Sequence, residues 1–105
     1  MRCLAVVTTI DSREAANHLA QTLVARGLAA CAQISEIDSF YTWEGAVQHA
    51  SEFRVLFKTT RDQYPAIERA IVELHTYDLP AVHAYAIEHL YEPYAAWIEE
   101  SCRGR

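Results

Sequence analysis

Leu28–Thr60, LAACAQISEIDSFYTWEGAVQHASEFRVLFKTT, holds no breaker until Gly45 and reads as strand on both sides of that glycine. The first arm runs from Leu28 to Trp43 and the second from Val47 to Thr60, turning near Glu44-Gly45-Ala46. Fifteen residues at ~3.3 Å each reach roughly 50 Å, whereas a domain of about 100 residues has a radius of gyration of ~13 Å. Such a hairpin must bend, overhang its core or pair with another copy. In its far half Ile37, Ser39, Tyr41 and Trp43 share one face and Asp38, Thr42 and Glu44 the other, with Phe40 as an interruption. The second arm alternates Val47, Phe53, Val55 and Phe57 against Gln48, Glu52, Arg54 and Lys58, the pattern of a half-buried antiparallel strand. An aromatic face beyond the reach of its own core predicts self-association, with Ile37, Tyr41 and Trp43 in the interface.

The flanks complete a repeating order. Cys3 to Thr9 is an apolar, β-branched strand, and Asp11-Ser12-Arg13-Glu14 has capping-box spacing for the helix that follows. Ala15, Ala16, Leu19, Ala20, Leu23 and Val24 recur at helical intervals up to a stop at Gly27. A second helix starts near Thr60 to Asp62 with Pro65 in its first turn, and buries Ile67, Ala70, Ile71 and Leu74. After a His75 to Pro80 loop, Ala81 to Glu88 is the fourth strand, and Glu92-Pro93 opens a short terminal helix. The prediction is an α+β fold: one ferredoxin-like βαββαβ sandwich over residues 1–105, with a long hairpin between its second and third strands and a short C-terminal helix.

Composition narrows the function. The chain has 105 residues, 51% hydrophobic and 22% charged, with three glycines and three prolines, as expected for one soluble domain. Its apolar runs are far short of the ~20 residues that span a bilayer, which argues against a membrane role. Three cysteines without a CxxC fit reduced thiols and a cytoplasmic location. A net charge of -5 gives no footprint for nucleic acid, and Arg103 and Arg105 are a poor substitute.

Chemistry-bearing residues are scattered. There is no nucleophile elbow, phosphate-cradling glycine loop or HExxH, so no enzymatic role is assigned. Of five histidines only His75 stands in a loop with Tyr77 and Asp78, which makes it the candidate metal ligand; His18 belongs to a solvated helix face. Cys31 is a core filler unless Lys58 or His75 comes close enough to stabilise its thiolate. Cys3 and Cys102 lie near the termini and read as incidental. Lys58, beside Thr59 and Thr60, suits a small anionic ligand, or a pairing with Glu52 or Asp78. Tyr77, Tyr94 and Trp97 are aromatic candidates for a cleft. The candidate set for ligand binding is therefore Cys31, Lys58, Thr59, His75, Tyr77, Asp78, Tyr94 and Trp97.

Five ordered blocks carry a resemblance: Gly27-Leu28-Ala29-Ala30-Cys31-Ala32, Ser39-Phe40-Tyr41-Thr42-Trp43-Glu44-Gly45, Phe57-Lys58-Thr59-Thr60, His75-Thr76-Tyr77-Asp78-Leu79-Pro80 and Tyr94-Ala95-Ala96-Trp97. In order and spacing they resemble the CutA family of divalent-cation tolerance proteins. The resemblance implies a ferredoxin-like fold, a homotrimer built by the long hairpins, a cytoplasmic location in bacteria and an association with copper and other divalent cations, with no obligatory cofactor. The chain departs from the family pattern at Ile34-Ser35-Glu36-Ile37, where a Pro-Gly bend is common, and at Ala81, where a carboxylate near His75 is missing. A second reading is a sensor or signalling trimer analogous to PII proteins, holding a small ligand in clefts between subunits.

Overall fold

Cys3–Ile10 forms β1, the strand on which everything else registers. It is buried along nearly its whole length because other strands flank both its edges and helices cover part of each face. The computed structural model describes residues 2–103, so Arg105 lies outside the described residues. Helix α1 (Arg13–Ala25) follows, then β2 (Cys31–Trp43), β3 (Ala46–Thr60), a short turn of 3-10 helix at Arg61–Gln63, α2 (Tyr64–Leu74), β4 (Val82–Ala86) and α3 (Glu92–Ser101). The sheet order is β2-β3-β1-β4 and every pairing is antiparallel. This is the ferredoxin-like α+β arrangement expected from the sequence.

Local signals set the helix ends. The N-cap of α1 is Ser12, whose hydroxyl accepts from the Ala15 N–H at 3.1 Å, so the Asp11–Glu14 spacing is not the box that operates. At the other end the Leu28 N–H reaches the Leu23 carbonyl and the Gly27 N–H the Val24 carbonyl, both at 3.0 Å. That pair of bonds needs a left-handed residue, and Gly27 supplies it at φ +70°. The first hairpin arm becomes strand only at Cys31, because Gly27–Ala30 is spent on this cap and turn. The fourth strand is also shorter than expected, and its register on β1 covers only Thr8↔Val82 to Leu4↔Ala86.

Side-chain alternation divides the sheet into two unequal faces. Leu4, Val6 and Ile10 join Val55 and Phe57 under α1 and α2, packing against Ala16, Leu19, Leu23, Ile67 and Ile71. Full burial of a side chain such as Phe57 is worth ~1.5–3 kcal/mol. The opposite face is covered at one end, where α3 seats Ile98 and Cys102 on Cys3 and Ala30, and again at Val7 and Glu52; towards the hairpin tip Tyr41 and Trp43 stay exposed on it.

The hairpin overhangs. β2 and β3 stay in continuous antiparallel register from Cys31↔Lys58 to Trp43↔Ala46, with no break in the ladder at Ile34–Ile37. The Cα envelope stretches to 45 × 27 × 21 Å with a radius of gyration of 14.2 Å. Glu44 and Gly45 make the two-residue turn with φ of 52° and 77°, the handedness that matches strand twist. Phe40, the apparent interruption, stacks on His49 across the arms at 4.3 Å between ring centres, and His49 Nε2 meets Asp38 Oδ1 at 3.2 Å. Both belong to the helix-side face. Ile37, Tyr41 and Trp43 lie on the open one.

Candidate functional site

The sequence-predicted residues separate into two groups on the open face and two outliers, Thr59 and Asp78. Thr59 is turned away altogether. Its parity turns it to the helix side, fully buried, where its hydroxyl donates to the Leu28 carbonyl at 2.6 Å and ties the β3 end to the loop before β2.

The first group forms where α2 gives way to the loop. His75 caps α2 in extended conformation, its N–H on the Ile71 carbonyl. Its ring is fixed at both nitrogens: Nε2 lies 2.8 Å from the Thr9 carbonyl, and Nδ1 accepts the Tyr77 N–H at 3.0 Å. A carbonyl only accepts, so Nε2 carries the proton and Nδ1 holds the single lone pair, directed at Tyr77. The Tyr77 ring tilts against His75 at 4.8 Å and sends its hydroxyl to Glu52 Oε2 at 2.5 Å. Burial, then the bond to Glu52, pushes the Tyr77 phenol well above its ordinary pKa. Asp78 is exposed and is not the carboxylate of this group. The acids that serve the loop are Glu52 for Tyr77 and Asp11, whose Oδ1 accepts from the Thr76 hydroxyl at 3.2 Å.

Glu52 is the residue that strand parity misplaced. Its face reads as solvated, yet the side chain is 7% exposed. Tyr77, 25 residues later, folds over it. No local pattern announces such a contact; the signal available was an acid in a strand opposite Ile37.

The second group gathers at the α3 end. Cys31 and Lys58 are cross-strand partners. Cys31 Sγ lies 3.8 Å from the Tyr94 hydroxyl, and Lys58 Nζ sits 5.8 Å from the centre of the Tyr94 ring, which stacks on Trp97 at 5.7 Å. Lys58 donates to Gln33 Oε1 at 3.1 Å, not to Glu52 or Asp78. Together these side chains make a half-exposed patch with an ammonium, a thiol, an amide and two stacked rings. It is suited to an anion joined to a flat or apolar body. Lys58 is the positive charge that meets Cys31, and His75 belongs to the other group.

The arrangement sets limits on metal chemistry. Among the described residues no group of three His, Cys, Asp or Glu side chains converges. His18, His83 and His89 are exposed and belong to neither group. Among the described residues no helix is long and apolar enough to cross a membrane.

Residues 4–101 match the family model for the CutA1 divalent ion tolerance protein. The divalent-cation tolerance protein CutA of Pyrococcus horikoshii is 34% identical over 98 residues, 93% of this chain and 96% of that protein. Among solved structures, the periplasmic divalent cation tolerance protein CutA from Archaeoglobus fulgidus superposes with a TM-score of 0.94 at 31% identity, covering 96% of this chain and 99% of that one. CutA1 from Oryza sativa gives 0.95 at 33% identity, with 98% and 95% covered. A match that spans the hairpin, the His75 loop and α3 together is one of whole architecture, and the chain belongs to the CutA1 divalent ion tolerance family.

Proposed function

We propose that this chain assembles as a homotrimer through its overhanging hairpins and acts, without catalysis, in the cytoplasmic response to divalent cations, with copper the first candidate ligand. The hairpin carries the reading. Its open face presents Ile37, Tyr41 and Trp43 in a stripe, with Tyr41 45% and Trp43 57% exposed, on strands that run past their own core. Three such arms around a threefold axis bury one another's aromatic faces, a closed solution that leaves no growing edge. The cation enters through the relatives, which bear divalent-cation tolerance in their names. Cysteines that are all free support a reducing compartment.

Within one protomer His75 is the metal candidate, and its Nδ1 lone pair is committed to the Tyr77 N–H. For His75 to bind an ion that bond must open, and further ligands must come from a neighbouring copy. The patch around Lys58 favours the second reading, a PII-like trimer that holds a small anion in the clefts between subunits: it supplies a cation beside stacked aromatics.

Light scattering on tag-free protein tests the assembly: three times 11.9 kDa is about 36 kDa, and a stable monomer at micromolar concentration defeats it. Calorimetric titration then separates the ligands. Saturable copper binding that weakens about tenfold in His75→Ala, ~1.4 kcal/mol, supports the cation reading. Unchanged copper binding in that variant, with saturable binding of a nucleotide or carboxylate that Lys58→Ala abolishes, establishes the sensor reading instead.

A further inference from the structure

We propose that Cys3 and Cys102 are a peroxide-oxidisable thiol pair whose disulfide staples α3 to the start of β1. Nothing in the local sequence links them, since the two residues stand near opposite ends of the chain. The fold brings them together. Cys3 lies directly across the β1–β3 ladder from Thr60. Cys102 caps α3 and donates its thiol to the Lys58 carbonyl at 3.9 Å, two residues before Thr60 in β3. Both thiols therefore lie against the Lys58–Thr60 end of β3. They share one buried cluster with Ala30 and Ile98, Cys3 at 0% and Cys102 at 5% exposure. The third cysteine, Cys31, is turned to Tyr94.

Access is governed by α3. The helix rests on that small cluster and on Arg2, which donates through Nη1 to Glu92 at 3.0 Å and through Nη2 and Nε to Glu99 at 2.6 and 3.1 Å. All three side chains of this clamp are exposed, where ion pairs hold weakly, so α3 opens more readily than the sheet unfolds. Opening admits peroxide and also removes the burial that keeps both thiols protonated.

The chemistry balances with one hydrogen peroxide. The Cys102 thiolate attacks a peroxide oxygen, the O–O bond breaks, and the departing hydroxide takes a proton to give water, leaving a sulfenic acid. The Cys3 thiolate attacks that sulfur, the S–S bond forms as the S–O bond breaks, and hydroxide leaves and is protonated to a second water. Two thiols lose two electrons and peroxide gains them. The two roles are interchangeable, since burial raises both thiols alike. The staple would fix Tyr94 and Trp97 of α3 over the Lys58 patch.

The test treats the full-length native protein with hydrogen peroxide, alkylates remaining thiols and maps peptides without reduction. The expected product joins the Cys3 and Cys102 peptides within one chain, lowers the mass by about 2 Da, cuts free thiols from three to one and reverts with dithiothreitol. Cys31→Ser should retain the cross-link and Cys3→Ser lose it, while Arg2→Gln should speed its formation severalfold. The proposal is overturned if all three thiols survive, if Cys3 and Cys102 end as unlinked sulfinic acids, or if the only disulfide joins two chains. Mapping of the wild-type protein decides the matter even if Cys3→Ser fails to fold.

Discussion

Tyr77→Phe removes one oxygen and isolates one carboxylate. In the folded chain the Tyr77 hydroxyl donates to Glu52 Oε2 at 2.5 Å, and Glu52 is 7% exposed, so water cannot replace the lost donor without rearrangement. A hydrogen bond to a charged acceptor is worth ~1.5–3 kcal/mol, which places the loss near 2 kcal/mol. With ~2.1 cal/mol/K of unfolding entropy per residue, a chain of this length loses roughly 9 °C in midpoint. The same substitution in a Glu52→Gln background breaks a neutral bond of ~1 kcal/mol. The double-mutant cycle should therefore show ~1 kcal/mol of coupling between the two positions. Urea unfolding at one fixed protein concentration is the assay, because midpoints of the proposed trimer would depend on concentration. A loss under ~0.5 kcal/mol, or an equal loss in both backgrounds, would refute the reasoning that Glu52 is held by this hydroxyl.

Three further outcomes are expected. Trp43→Ala, which truncates the aromatic nearest the hairpin turn, should weaken trimer assembly by more than ~2 kcal/mol on dilution, and an undiminished trimer removes Trp43 from the interface. Thr8→Val should stabilise the protein by ~1 kcal/mol, since among the described residues Thr8 Oγ1 is buried without a hydrogen-bond partner; a destabilised variant would mean the hydroxyl has one. Stability should fall in alkali: burial holds the Cys3 and Cys102 thiols and the Tyr77 phenol protonated in the fold, while the unfolded chain releases those protons near pH ~8.5 and ~10. The unfolded state then binds fewer protons, so stability must drop as pH rises through that window, and a flat melting midpoint from pH 8.5 to 10.5 contradicts it.

The hairpin was legible because its determinants are local. Period-two alternation, a single glycine and sheer length specify two long antiparallel arms, and no tertiary contact is needed to see that fifteen residues outrun a small core. Most helix ends were legible to within a residue or two, but α2, expected from Thr60 to Asp62, begins at Tyr64 because Arg61–Gln63 is a 3-10 turn. Asp11 and Ser12 are both competent caps, and only the hydrogen bond to Ala15 chooses between them. The fourth strand was overextended because Ala81 to Glu88 has strand composition throughout, whereas its ladder on β1 is limited to Val82–Ala86.

Residue chemistry was legible in a different sense from residue availability. A histidine beside a tyrosine in a loop names a nitrogen donor, but whether its lone pair is open depends on what the loop folds against. For His75 that is the Thr9 carbonyl on one side and the Tyr77 N–H on the other. The same distinction separates Thr59 from Lys58: adjacent in sequence and both plausible as ligands, they point to opposite faces of one strand, and only Lys58 reaches the patch. Glu52 shows the converse, a side chain with a solvated pattern that a distant tyrosine removes from water. Strand parity assigns a face, while the partner that covers or commits a group comes from elsewhere in the chain. On the open face the loop after α2 supplies Tyr77 to Glu52 and His75, and α3 supplies Tyr94 to Lys58 and Cys31.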